Sequence, residues 1–501
     1  MGMLDAFAYA LDMVFLWKNL LYIFTGTAIG LIFGALPGLS SVVSISMFLP
    51  LTYGMDPMSA MFFYSGLMGA SPFGGSISAI LINTPGTAQN IATIFDGYPM
   101  TQRGEASRAL GISATASALG ALFGILVLTI LMPLVRLVIL SFQPPEFFML
   151  VLLGLCTVVV AVQGNMIKGL FAGGLGLTLS FMGRSALTGT IRFNFGTFYL
   201  WDGIVLVPFV IGLLAICEII TLGTKQQATI ADDSAIAISG YKGILEGMKD
   251  VFRHKINFFR SASIGTIVGI IPGIGGVVAN VVAYTVALQS SSHPETFGKG
   301  DPEGVLAPEA ANNAKEGGSM VPTLGLGIPG STEMAVLLGA LILHGLTPGP
   351  LLIKENLDIV WALILGMTIS SVLASVLGLL SSNFIVKISR VSVSYIIPIV
   401  GGICLVGVFS FRGNMWDVFL AIFFGFVGFG LKTFGFPIIP LVMGHILGKM
   451  AEVYFNQSLM ISDIGYKIFF TRYISLGLFI GALFVLILPF IKKRFKKNDF
   501  K

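Results

Sequence analysis

The chain has 501 residues, 55% of them hydrophobic and only 11% charged, with a net charge of +5. Soluble domains carry about 25% charged residues, so this charge cannot dress a water-facing surface, and runs such as "GALFVLILPFI", apolar on every face, exclude a barrel of alternating strands. A polytopic helical membrane protein remains; its cysteines (Cys156, Cys217, Cys404) lie in apolar segments and form no disulfide framework, and no basic-aromatic interleaving points to nucleic acid.

The N-terminal "MGMLDAFAYALDM" carries acids and no base, unlike the cationic start of a cleaved signal peptide. "GLIFGALPGL" (30–39) places Pro-Gly inside the first apolar run, and "ILINTPGTAQN" (80–90) places Asn83, Thr84, Pro85, Gly86 and Thr87 inside the next. Proline removes a backbone donor and clashes with the preceding turn, so helices break there. Spans are predicted near 109–133, 147–162, 169–183 and 199–222. A polar joint follows at 223–260. "GTIVGIIPGI" (265–274) opens the second half, and the polar stretch 290–318 leads into another break, "GLGIPGSTEM" (325–334). Spans near 359–381, 392–410, 416–431, 436–452 and 472–491 precede the basic tail "KKRFKKNDFK".

The order of motifs repeats. Gly-x3-Gly-x2-Pro-Gly recurs 235 residues on, Pro85 matches Pro329 at 244, "QGNM" matches "RGNM" at 249, and "VPFVIGLL" matches "IPLVMGHI" at 232. Four matches in one order at nearly constant spacing indicate two homologous halves. The expected layout is a first membrane repeat (1–222), a cytoplasmic linker (223–260), a second membrane repeat (261–470), and an extra C-terminal transmembrane helix with its tail (471–501).

Basic loops favour the cytoplasm. Placing 98–108, 163–168, 224–261, 382–391, Lys432 and the tail inside puts 18 of the 29 Lys and Arg there. The loop with Arg103 and Arg108 is then inside and its counterpart, 345–358, outside. Equivalent loops face opposite sides, as inverted repeats require. The fold class expected is all-α and polytopic, with two inverted-topology repeats, broken or re-entrant helices at Pro-Gly, and the extra last helix. Transporters built this way bind substrate where broken helices meet near the midplane. Glycine-rich motifs also serve close helix packing, which is the alternative for Gly30, Gly34, Gly265 and Gly269.

A helix that restarts after Pro-Gly presents unpaired N–H groups and a partial positive charge, a ready anion site. The substrate-binding candidates are therefore Asn83, Thr84, Pro85, Gly86 and Thr87 with Pro329, Gly330, Ser331 and Thr332. Ser40, Ser41, Gly275, Gly276 and Asn280 surround a second pair of breaks and are second-rank, for substrate or a coupling ion. Glu309, Asn312, Asn313 and Glu316 share one face if 309–316 is helical, and that face would hold a coupling cation; the other reading is a solvated surface loop. Lys315 would reach an anionic substrate. Asp96 reads as a cap for its own turn, and Glu333 is open between coupling and structure. His254, His293, His344 and His445 have no metal-ligand spacing, and no nucleophile elbow, phosphate loop or HExxH occurs. No catalytic residue, metal or cofactor is expected.

These segments resemble the tripartite tricarboxylate transporter family, in its large TctA-type membrane subunit. The resemblance rests on "GALPGLS", "YSGLMGASPFGGSISAILINTPGTAQNIATIFDGYPM" with "RGEASRALG", "GIIPGIGG" and "APEAANNAKEGGSMVPTLGLGIPGSTEMAVLLGALILHGLTPGP", and runs from about residue 20 to 450. It implies a carboxylate importer of the bacterial inner membrane, citrate-like in substrate and driven by Na⁺ or H⁺. It also implies a small TctB-type membrane subunit and a periplasmic TctC-type binding protein as partners. Lys315 departs from it, since the resemblance implies an uncharged residue there; Lys315 either tunes the substrate or is neutral. An elevator-like carrier with a cytoplasmic C-terminus is the leading expectation. A passive anion channel and an assembly scaffold are the alternatives.

Overall fold

The computed structural model describes residues 2–37, 39, 41–139, 141–161, 166–185, 187–224, 240–272, 275–389 and 393–498. The first half runs through α1 (Met3–Val14), α2 (Trp17–Ala35), α3 (Ser41–Thr52), α4 (Pro57–Ile82), α5 (Ile91–Gln102), α6 (Ala106–Ile139), α7 (Pro144–Ala161) and α8 (Met166–Ser180). A two-residue antiparallel pairing of β1 (Gly183–Arg184) with β2 (Ile191–Arg192) leads to α9 (Leu206–Val210), which passes through a π-helical stretch, Ile211–Ile216, into α10 (Cys217–Thr224).

The second half comprises α11 (Gly240–Arg253), α12 (Lys255–Ile270), α13 (Gly275–Ser290), α14 (Pro302–Leu326), α15 (Thr332–Leu343), α16 (Pro350–Glu355), α17 (Leu357–Ser389), α18 (Val393–Arg412), α19 (Met415–Thr433) and α20 (Ile438–Met460). The chain ends in α21 (Ile468–Thr471) and α22 (Tyr473–Asn498). Among the described residues eight helical segments are long and apolar enough to cross a bilayer, and a bent pair including α22 makes up to nine. The protein is an all-α, multi-pass membrane protein.

Two stretches depart from the sequence reading. The joint was expected to be a linker, yet its residues 240–253 form α11, docked on α6 through Gly247 against the Arg108 carbonyl and an Arg108–Asp250 ion pair of 2.7 Å. The polar stretch 290–318 is mostly helix: α14 is buried from Gly304 to Met320, so the solvated-loop reading of 309–316 does not hold. Its hydropathy misleads because its polar side chains face other helices rather than water.

α4 and α14 are built by the same local rules. Asp56 caps α4 by accepting the Ser59 N–H, and Asp301 caps α14 by accepting the Glu303 N–H, each with proline at the first helical position. Each is crossed by a glycine-bearing helix at equivalent points. A Cβ on Gly30 or Gly34 of α2 would stand 2.5 and 2.2 Å from the carbonyls of Leu67 and Ser71. A Cβ on Gly265 or Gly269 of α12 would stand 2.2 and 2.4 Å from those of Ala311 and Lys315. The glycines do serve close backbone approach. α4 then packs on α17, and α14 on α6, so each half buries its central helix against the other.

Candidate functional site

The breaks follow directly from these two helices. α4 ends at Asn83 with φ of 54°, and α14 ends at Gly327 with φ of 71°, both in the left-handed region. The two caps are 244 residues apart, as are Pro85 and Pro329. Proline stops either helix from resuming in line. After the first break the chain makes one 3₁₀ turn, Ala88–Asn90, before α5. After the second, Ser331 caps α15 at once, its Oγ accepting the Met334 N–H at 3.3 Å.

Both breaks reach one cavity of about 570 Å³. Thr87, Ala88 and Gln89 line it from the first half, and Pro329, Ser331, Thr332 and Glu333 from the second. Gly275 and Gly276 at the start of α13 extend this wall, while Val43, Leu213, Leu214 and Ile438 supply an apolar one. Glu218 and Lys432 also line it and pair at 2.5 Å.

Not every expected residue faces this space. Asn83 is exposed, and Thr84 turns its hydroxyl to the Ile82 carbonyl. Pro85, Gly86 and Gly330 do not line the cavity. Gly86 is wedged so tightly that a Cβ would meet the Gly34 carbonyl at 1.9 Å, and one on Gly330 would meet Ser319 at 2.5 Å. Ser41 is the buried first residue of α3, and Ser40 lies outside the described residues.

The free backbone donors expected at the breaks are partly consumed. The Gly86 N–H donates to the Gly75 carbonyl, the Gly330 N–H to Thr323 Oγ1, and the Met334 N–H to Ser331 Oγ. Thr87 Oγ1 donates to Asn90 Oδ1 at 2.6 Å.

Gln89 is the junction the sequence reading passed over. Its Nε2 donates to Glu333 Oε1 at 2.7 Å, its Oε1 accepts from Lys315 Nζ at 3.3 Å, and its carbonyl accepts from Asn280 Nδ2 at 2.8 Å. Lys315 pairs with Glu316 at 2.5 Å and is 1% exposed. A signal was available: Gln89 and Glu333 are themselves 244 residues apart, so the repeat aligns the two residues that touch. Glu218 and Lys432 carried no such signal.

The other polar candidates divide. Glu309 is fully buried and accepts hydrogen bonds from the hydroxyls of Ser76, Thr93, Ser113 and Ser117 at 2.5–2.9 Å, tying α4, α5 and α6 to α14. Asn312 and Asn313, one turn along, are buried without such partners. Asp96 does not cap its own turn. Its carboxylate accepts the N–H groups of Gly300 and Asp301 and the Tyr284 hydroxyl, all at 2.8 Å, and so secures the approach to α14. Among the described residues no cluster of His, Cys, Asp and Glu has the makings of a metal centre.

Comparison with known proteins places this architecture. The profile of the tripartite tricarboxylate transporter TctA family matches residues 20–443. A protein of Agrobacterium vitis described as an uncharacterised 52.8 kDa protein in the TAR-I ttuC′ 3′ region is 32% identical over 479 residues, 95% of this chain and 94% of that protein. A second, from the TAR-II ttuC′ 3′ region of the same organism, is 34% identical over 233 residues, 46% of this chain and 96% of its own length. No solved structure matches. With the family profile covering most of its length, the chain belongs to the TctA family, the large membrane subunit of tripartite tricarboxylate transporters.

Proposed function

We propose that this subunit imports a di- or tricarboxylate, citrate-like in chemistry, by symport with Na⁺ or H⁺. One observation carries the reading: the residues that follow two Pro-Gly breaks 244 residues apart line a single cavity. Its volume of about 570 Å³ lies within the roughly 300–1,000 Å³ of small-molecule sites. Ser331 offers a hydroxyl to carboxylate oxygens, those of Thr87 and Thr332 being donated to Asn90 and Glu333, and Lys432, paired with Glu218, places a cation at the rim.

The matching glycine crossings and left-handed caps support two homologous halves, and the distribution of basic residues supports opposite orientations in the membrane. On that orientation the protein lies in the bacterial inner membrane with its C-terminus in the cytoplasm. The Glu218–Lys432 rim then marks a cytoplasmic mouth, and the cavity is open inward. Alternating access moves the unit that carries both breaks. A TctC-type periplasmic protein delivers substrate, and a TctB-type small subunit completes the membrane assembly.

The test is uptake into proteoliposomes containing this chain with both partner subunits, scanning carboxylates with and without cation gradients. Concentrative uptake that needs the binding protein and collapses with the cation gradient is expected. Downhill flux indifferent to both would make the protein a passive anion channel instead.

A further inference from the structure

We propose that the coupling cation is Na⁺ and that it binds behind the cavity, on the face of α14 that carries the side-chain oxygens of Asn312, Asn313 and Glu316. The idea rests on the symport reading and adds to it the identity of the ion, its ligands and the order of binding.

Charge provides the first argument. Lys315, Glu316 and Glu333 form one buried group joined through Gln89. Counted with all three groups ionised it carries a net charge of −1, and Glu333 stands in the cavity wall. A second anion cannot enter beside that charge at low dielectric without several kcal/mol of repulsion, by order of magnitude. A monovalent cation bound to the same group removes the obstacle, so the cation enters first and the carboxylate second.

Unmet valence provides the second argument. Asn280 Oδ1, both amide atoms of Asn312, Asn313 Oδ1 and Glu316 Oε2 are buried with no hydrogen-bond partner. Buried polar atoms left unpaired cost about 1–3 kcal/mol each, and native interiors hold few of them. Those of Asn312, Asn313 and Glu316 share one strip of α14. The glycines of α12 cover α14 at Ala311, Lys315 and Gly318, and those of α6 cover it at Ala310, Ala314 and Gly317. The remaining face carries Glu309, Asn312, Asn313 and Glu316, while Asn280, on α13, donates to the Gln89 carbonyl. Amide and carboxylate oxygens are the ligands of hard cations. A single free carboxylate oxygen suits a monovalent ion. Glu309 is excluded from the set because four hydroxyls already satisfy its oxygens.

The first half provides the third argument. At the 244-residue offset, Glu309, Asn312, Asn313, Lys315 and Glu316 correspond to Ser65, Met68, Gly69, Ser71 and Pro72 of α4. An equivalent buried helix, crossed by the same glycines, thus stands without ionisable groups in this stretch. The fold itself does not require the polar strip.

Purified full-length protein, free of carboxylate, tests the site through ²²Na⁺ binding and through unfolding temperature in Na⁺ against matched K⁺. Saturable ²²Na⁺ binding and a Na⁺-specific rise in unfolding temperature are expected, since ligands of the folded state stabilise it by mass action. Asn312→Leu and Glu316→Gln should each weaken ²²Na⁺ binding by at least about tenfold. Asn312→Leu removes the unpaired amide at similar volume, so its stability in K⁺ should equal or exceed the parent's, which separates ligand loss from misfolding. Equal behaviour in Na⁺ and K⁺, or variants that keep full affinity, would overturn the site in favour of bound water. Carboxylate accumulation on a pH gradient without any Na⁺ effect would overturn it while leaving the symport reading intact. Na⁺ binding lost in the variants, in an assembly that accumulates no carboxylate, would uphold the site and remove the symport reading.

Discussion

The two halves hold equivalent positions with different chemistry. Where the first half joins Asn19 to Ser59 by a neutral hydrogen bond of 2.7 Å, the second sets His254 3.3 Å from Glu303, an ion pair when the imidazole is protonated. Where α2 crosses α4 over Ser71, α12 crosses α14 over Lys315; where the first break presents Gln89, the second presents Glu333. Backbone geometry is common to both halves, and at these positions the ionisable groups stand in the second. The shared scaffold thus comes from small residues and caps, while the charge at these four positions is an addition that the first half does without.

The largest expected effect removes what the halves share. Gly86→Ala and Gly330→Ala each drive a methyl into backbone or Ser319 at 1.9–2.5 Å, where overpacking costs about 1–3 kcal/mol or more. Both should abolish a monodisperse peak in detergent chromatography. Gly275→Ala meets nothing within 4 Å and pays only for its φ of +79°, about 1 kcal/mol, and should stay folded. If Gly330→Ala were harmless while Gly86→Ala was not, the breaks would differ in packing as well as in charge.

Next comes the chemistry that separates them. Glu333→Gln gives the second break the first one's amide. Carboxylate binding should then stop responding to the coupling cation, a thermodynamic coupling of roughly 5–150-fold falling to about one, with accumulation lost. Calorimetric titration of the carboxylate with and without the cation reads this; an unchanged cation dependence would leave Glu333 a structural residue.

Smaller effects probe the turns themselves. Ser331→Ala removes the cap of α15 and should lower stability by about 1 kcal/mol; Thr87→Val removes the bond to Asn90 and should cost a similar ~1 kcal/mol. Thermal unfolding in detergent measures both, and equal losses would show that the hydroxyls serve the turns equally.

The smallest effect is a pH dependence that the second half carries at the position of Asn19. The hydrogen bond to Glu303 raises the His254 pKa above its ordinary value. Its stabilisation is complete below the unfolded pKa, about 6.5, and is lost as pH rises through the higher folded value. His254→Asn, which copies Asn19, should flatten this part of the stability profile above pH 6.5.

The spans were legible because long apolar runs have few alternatives in a bilayer, and the predicted spans fall on α6 to α10, α17 to α20 and α22. The breaks were legible because proline and glycine act locally. α14 was not, since it carries Pro308, Pro322 and a run of polar residues that only tertiary contacts explain. Gln89 lay inside the stretch quoted for the first break, yet an amide declares no role until its partner is known. Glu218 and Lys432 met across 214 residues, a pairing that no local pattern announces.

The π-helical stretch Ile211–Ile216 bears on how this segment tolerates changes in length. Both its ends are docked: Gly212, at its start, lies against the Ala421 carbonyl, and Glu218, just beyond it, reaches Lys432. A π turn holds one residue more than the α-helix it interrupts. Deleting one residue there would restore an unbroken helix with both ends still seated. The same deletion in α19 or α20 would swing everything beyond it by about 100°. Insertions and deletions of a single residue are usually ruinous inside a packed membrane helix, and this segment has a place to absorb one.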